Sequence, residues 1–203
     1  MKSSLANGKI IRWALLTMLG LAAGIIAAFL LDRPIEAVVG MMLVTPILTL
    51  VAGAILGSSQ WLQLRSLVDH SRLWIAATCI GLGVGLVLGV VTIEKIGGIL
   101  LGHRPNVVHL SVPGRALSFA VLGTITGLSA GTAQWLLVLR RRPQSGTWIT
   151  TSAAALGLAF SLSSLILDGI VGGIATPLGF LSFVLSAGPI FGVGTARPLL
   201  RAT

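Results

Sequence analysis

The stretch GAILGSSQWL at residues 53–62 returns as GLSAGTAQWL at residues 127–136, 74 positions later and without a gap. At that offset Gly53, Gly57, Gln60, Trp61, Leu62, Trp74, Ile75, Leu82 and Gly83 fall on Gly127, Gly131, Gln134, Trp135, Leu136, Trp148, Ile149, Leu156 and Gly157. Internal repeats are read first because each copy is one supersecondary unit and stacked copies bury the core.

The residues around the repeat set its solvent. Of the 203 residues, 55% are apolar and only 9% charged, with mean hydropathy +0.99. A soluble domain carries roughly a quarter charged residues, so this chain cannot cover a water-facing surface and is expected to be an integral membrane protein. A span needs about 20 apolar residues at 1.5 Å each. Six runs qualify: about 12–31, 37–63, 73–93, 115–138, 148–167 and 177–197. The charged lead MKSSLANGKIIRW resembles that of a signal peptide, but the apolar run behind it is too long and lacks a small-x-small cleavage site. It is read as the first span.

Charge orients the spans. Lys2, Lys9, Arg12, Arg65, Arg72, Arg140, Arg141, Arg142, Arg197 and Arg201 lie on one side, with Asp69 the single acid there. The other side carries Arg33, Lys95, Arg104 and Arg115 against Asp32, Glu36, Glu94 and Asp168. The positive-inside bias predicts both termini in the cytoplasm, as an even number of spans requires. The expected location is a bacterial cytoplasmic (inner) membrane or an internal membrane.

A third, weaker copy follows. Odd spans align as Trp13/Trp74/Trp148, Gly20/Gly81/Ala155, Gly24/Gly85/Ala159 and Ala28/Gly89/Ser163. Even spans align as Gly53/Gly127/Gly188 and Gly57/Gly131/Gly192, and the Gln60/Gln134 position falls on Thr195. The unit is a helical hairpin. The predicted fold is all-α: a six-span transmembrane bundle of three parallel hairpin repeats, about 9–65, 70–140 and 145–201, in one domain over 1–203. Small residues every fourth position let helix backbones approach where lipid gives no hydrophobic drive, so the glycines predict packing.

Gly53, Gly57 and Gln60 share one narrow stripe at 100° per residue, as do Gly127, Gly131 and Gln134. The amides therefore face neighbouring helices. Gln60, Gln134 and Thr195 read either as an interhelical clamp or as a polar ring at a cytoplasmic mouth. Trp13, Trp61, Trp74, Trp135 and Trp148 all stand at the cytoplasmic ends of predicted spans, where indoles favour the interface; stacking on a flat cofactor is the other reading. Arg65, Arg72 and Arg140-Arg141-Arg142 are expected to attract anionic headgroups, or else to dock an acidic protein. Nucleic acid is not expected, since no soluble module presents the basic run.

Asp32, Glu94 and Asp168 end the odd spans, as loop caps or as a ring attracting cations. The loop 94–115 holds His103, Arg104 and His109, whose spacing matches no metal-ligand set. Pro46 and Pro189 fall inside spans and can kink them. The single Cys79 leaves no disulfide framework. No ionisable residue lies near a span centre, where coupled transporters usually place one. No phosphate-binding loop and no nucleophile–base set occurs. No cofactor is implied and an enzyme is not expected.

The stretch Gly53 to Arg65, G-x-x-x-G-x-x-Q-W-L-x-L-R, resembles a group of uncharacterised bacterial multi-pass membrane proteins. They share repeated hairpins ending in Gln-Trp-Leu and basic residues, followed by a Trp-led helix. In the second copy, Gly127 to Arg140, the Arg comes one position later; in the third, Ala196 replaces Trp. The resemblance implies the hairpin architecture and no particular activity. The leading functional expectation is a non-enzymatic scaffold or accessory subunit that binds partner helices, lipid or a hydrophobic cofactor. The alternative is a small-solute channel or carrier.

Overall fold

A computed structural model describes residues 2–68, 70–101, 110–141, 145–170 and 187–196. Among these residues every regular element is helical. The elements are α1 (Lys2–Val39), α2 (Met41–Leu64), α3 (Leu73–Leu101), α4 (Val112–Gln134), a π-helical turn (Trp135–Leu139) that continues α4, and α5 (Thr147–Ile170). Residues 187–196 form a last described helix, α6.

Five segments are long and apolar enough to cross a bilayer: Gly8–Val39, Leu43–Leu64, Leu73–Ile99, Val112–Leu139 and Thr147–Ile166. Helices suit that solvent because each backbone N–H and C=O is satisfied within its own segment. The sixth expected span, 177–197, is described only over 187–196. Of the expected loop 94–115, residues 102–109 lie outside the described residues, with His103, Arg104 and His109 among them.

Two boundaries differ from expectation. The first hairpin does not turn at Asp32–Glu36. The helix runs on through Pro34 to Val39, and the turn is made at Gly40. Gly40 has φ 79° and ψ 165°, a backbone region open almost only to glycine. Its N–H donates to the Glu36 carbonyl at 2.8 Å, which finishes α1 before α2 begins. Likewise α3 continues past Glu94 to Leu101. A charged side chain marks where a span can meet water, and a helix need not stop there.

The glycines sit at the seams between neighbouring helices. A Cβ on Gly24 of α1 would stand 2.9 Å from the Ala52 carbonyl oxygen of α2. On Gly53 it would stand 2.9 Å from Cys79 Cα of α3, and on Gly57 3.0 Å from Ile75 Cα. Gly81, Gly85 and Gly89 of α3 face Ala130, Thr126 and Leu122 of α4. Gly127 and Gly131 face Ser152 of α5, and Gly194 of α6 faces Ala155 of α5. Gly188 and Gly192 of α6 return to Met18 and Ala14 of α1. The described helices therefore close into a ring in which each touches the next in chain order.

The π-turn accounts for the one-residue delay of Arg140. In α2 the Arg65 N–H bonds the Trp61 carbonyl at 2.9 Å, four residues back. After α4 the Arg140 N–H bonds the Trp135 carbonyl at 2.7 Å, five residues back. Both arginines then cap with nearly the same dihedrals, φ −56° ψ −24° and φ −54° ψ −26°. The wider turn absorbs one residue, so Leu139 reaches the full burial that Leu64 has in α2.

Candidate functional site: an apolar cavity closed by a tryptophan layer

Each Trp-led helix contributes one indole to a common layer. Trp13, Trp74 and Trp148 are 0%, 0% and 1% exposed. Their rings meet edge to face, with centroids 6.0, 6.4 and 5.3 Å apart and interplanar angles of 78°, 76° and 62°. Such pairs add roughly 0.5–1.5 kcal/mol each beyond area burial. Leu64, Val68, Leu139 and Ala196 complete the packed layer.

This corrects the expectation of an interfacial belt for these three residues, because their N–H groups turn inward and find protein acceptors. Trp74 Nε1 donates to Gln60 Oε1 at 2.9 Å, and Trp148 Nε1 to Gln134 Oε1 at 2.9 Å. Trp13 Nε1 donates to Thr195 Oγ1 at 3.1 Å. Trp61 and Trp135 are half-buried and also bond within the protein, to the Ser71 and Ser145 hydroxyls at 3.0 Å each. Both bonds span ten residues of chain.

The amides hold two helices at once. Gln60 Nε2 donates to Thr17 Oγ1 at 3.2 Å while its Oε1 accepts from Trp74. Gln134 Nε2 donates to Thr78 Oγ1 at 3.0 Å while its Oε1 accepts from Trp148. So Gln60 ties α2 to α1 and α3, and Gln134 ties α4 to α3 and α5. At the third seat the amide is replaced by the shorter Thr195. Its hydroxyl accepts from Trp13 and donates to the Phe191 carbonyl at 2.7 Å, and the buried Ser152 Oγ is left without a partner.

Above this layer lies a cavity of about 270 Å³, lined from all six described helices. Thr17, Gln60, Thr78 and Gln134 form its closed end, and the walls are mainly Leu21, Ile25, Leu82, Leu86, Leu156 and Phe160. Along α1 the lining runs from Thr17 to Ala28, about 16 Å of helix. None of the described lining residues is ionisable. Such a space can hold a hydrocarbon body: its amides stand at one end, and the Thr49 and Thr126 hydroxyls further along the walls bond carbonyls of their own helices.

The remaining expected residues lie elsewhere. Arg65 stacks over Trp61 with its guanidinium carbon 5.8 Å from the ring centroid. Arg72, Arg140 and Arg141 are exposed, and Arg142 lies outside the described residues. Of the acids, Asp32 and Glu94 fall inside α1 and α3 rather than at their ends.

Sequence reasoning passed over the hydroxyls. Thr17, Thr78 and Ser152 each follow a layer tryptophan by four residues, and Ser71 and Ser145 each precede one by three. The offsets that align the tryptophans align these residues too, and would have exposed them. Gln63, 6% exposed with its Nε2 donating to the Lys9 carbonyl at 3.1 Å, carries no such signal.

The described fold fits the class of multi-pass, all-helical membrane proteins. The chain matches no family model, no curated protein and no solved structure.

Proposed function

We propose that this is a non-enzymatic, multi-pass integral membrane protein that holds a lipid or other hydrophobic molecule inside a ring of three parallel helical hairpins. The observation that carries the reading is the apolar cavity bounded by the tryptophan layer. Its described lining residues carry no ionisable group, and the amides of Gln60 and Gln134 at its floor are already engaged in interhelical bonds. The repeated indole-to-acceptor bonds at Gln60, Gln134 and Thr195 support the threefold reading of the hairpins. In this reading the basic, tryptophan-bearing end faces the cytoplasm, both termini lie there, and the protein serves a larger complex as a scaffold or accessory subunit.

The test is purification of the full chain in mild detergent, followed by extraction and mass spectrometry of what co-elutes. A hydrophobic molecule retained by the wild type and lost from Leu82→Trp, which fills the cavity, is the expected outcome. Equal retention by both proteins overturns the cavity assignment.

A channel or carrier for a small solute draws its support from the two amides at the closed end of the cavity. It requires the tightly packed Trp13–Trp74–Trp148 layer to open. Solute-dependent swelling of proteoliposomes that is abolished by Gln60→Leu with Gln134→Leu would favour that reading.

A further inference from the structure

A second cavity, of about 310 Å³, shares no lining residue with the first. Val68 and His70 wall it from the link between α2 and α3, Leu73 from the first residue of α3, and Leu137, Val138, Arg140 and Arg141 from the π-turn and its exit. A recess this size is about ten times the volume share of one water. It joins two surfaces that water alone does not favour together. Leu73 and Leu137 are 42% and 44% exposed, and His70, Arg140 and Arg141 stand exposed beside them.

Its depth in the bundle is set by the chain. Leu73 is the first residue of one apolar span, and Leu139, just before Arg140, is the last of another. The recess thus straddles the line where hydrocarbon gives way to headgroups. Among the described residues the only ion pair is Arg33–Glu36, some twenty residues along α1 from the tryptophan layer, so no described carboxylate neutralises Arg140 or Arg141. The π-turn is part of the construction, since Leu137, Val138 and Arg140 reach the recess through it. The corresponding end of α2 is plain α-helix, and its Arg65 is taken up by the Trp61 ring.

The geometry points to a binding site for one anionic phospholipid. Its phosphate is held by Arg140 and Arg141, with His70 alongside, and the upper part of its acyl chains lies on Leu73 and Leu137. Arginine suits the phosphate because its planar guanidinium can offer two parallel N–H donors. The apolar wall at the span boundary selects a lipid over a soluble phosphate or an acidic peptide.

The experiment is native mass spectrometry of the full chain in mild detergent, equilibrated with equimolar phosphatidylglycerol and phosphatidylcholine. The wild type is expected to keep one phosphatidylglycerol preferentially. Arg140→Gln with Arg141→Gln is expected to cut that preference about 30-fold, at roughly fivefold per basic residue. Lys9→Gln with Arg12→Gln removes the same charge near the same end and is expected to leave the preference within about twofold.

Equal losses in the two double variants would reduce the effect to general surface charge and overturn the site. Displacement of the lipid by millimolar inorganic phosphate, or by an acidic peptide, would overturn the lipid assignment. So would undiminished retention in Leu73→Asn with Leu137→Asn, which spoils only the apolar wall. Should the double arginine variant fail to fold, Arg141→Gln alone carries the same test, since Arg141 sits in an exposed turn.

Discussion

The seam around Gln134 and the seam around Thr195 are built to the same plan and finished differently. At Gln134 one buried amide accepts from Trp148 and donates to Thr78, so three helices are joined through a single side chain. At Thr195 one hydroxyl accepts from Trp13, and Ser152, the counterpart of Thr78 in the third copy, has a hydroxyl with no partner. Both seams keep the glycine contacts that bring the backbones together. The difference separates two jobs. Glycine sets how near two helices come, and the long amide decides how many helices that nearness recruits.

The comparison breaks most visibly at the double substitution Gln60→Leu with Gln134→Leu. It removes four interhelical bonds and strands the Trp74 and Trp148 N–H groups in a layer that is almost fully buried. Interhelical bonds in membranes are worth about 0.6 kcal/mol on average and up to about 1.7, so a loss of roughly 2–5 kcal/mol is expected in an unfolding titration in mixed detergent. Insertion should be unchanged, because it depends on apolar length. A titration curve superimposable on the wild type would mean the amides carry no load.

Thr195→Val comes next and probes the poorer seam by itself. One interhelical bond and the hydroxyl's own bond to the Phe191 carbonyl are lost, and one indole N–H, that of Trp13, is stranded. A loss of about 1 kcal/mol is expected, less than that of Gln134→Leu alone. If Thr195→Val proved the costlier, the ranking of the seams would be inverted. The complementary change, Thr195→Gln, supplies the amide that the other two copies carry at Gln60 and Gln134, with Trp13 as a donor to its oxygen and the unpartnered Ser152 hydroxyl as the target for its N–H. It is expected to raise stability by about 0.5–1 kcal/mol, and a drop would mean that α6 sits too close to α1 and α5 for the larger side chain.

Much of this plan was legible in the chain before its coordinates. The offset of 74 residues paired Gln60 with Gln134 and Trp74 with Trp148, and the 100° stripe turned the amides toward neighbouring helices. The late Arg140 was visible as an irregularity, but only the five-residue hydrogen bond explains it. The inward direction of Trp13, Trp74 and Trp148 was not legible. An indole at a helix end satisfies its N–H equally well on a headgroup or on a neighbour's amide, and sequence position does not distinguish the two. The hairpin turn at Gly40 was hidden by the charges at Asp32, Arg33 and Glu36, which suggested a loop where the helix simply continues to Val39. The cavity was hidden for a different reason. Glycines at the seams draw neighbours together around the ring without filling its middle, and periodicity along one helix carries no measure of the space enclosed by six.

The smallest expected effect is the sharpest probe of the unequal seams. Ser152 and Thr78 occupy matching positions, four residues after a layer tryptophan, and both are buried. Thr78 accepts from Gln134 and donates to the Trp74 carbonyl at 2.8 Å. Ser152 Oγ has no partner, so its burial carries a desolvation cost with no bond to offset it. Ser152→Ala should therefore leave stability unchanged or raise it slightly, by no more than about 1 kcal/mol. Thr78→Val, isosteric but without the hydroxyl, should lower it by about 1 kcal/mol, because Gln134 loses its acceptor. The sign of the Ser152 change matters more than its size. If the seam at Thr195 is unfinished, the hydroxyl there is dispensable. A clear loss on Ser152→Ala would mean that something bonds Ser152 in the membrane, and that the third seam is completed from outside the described helices.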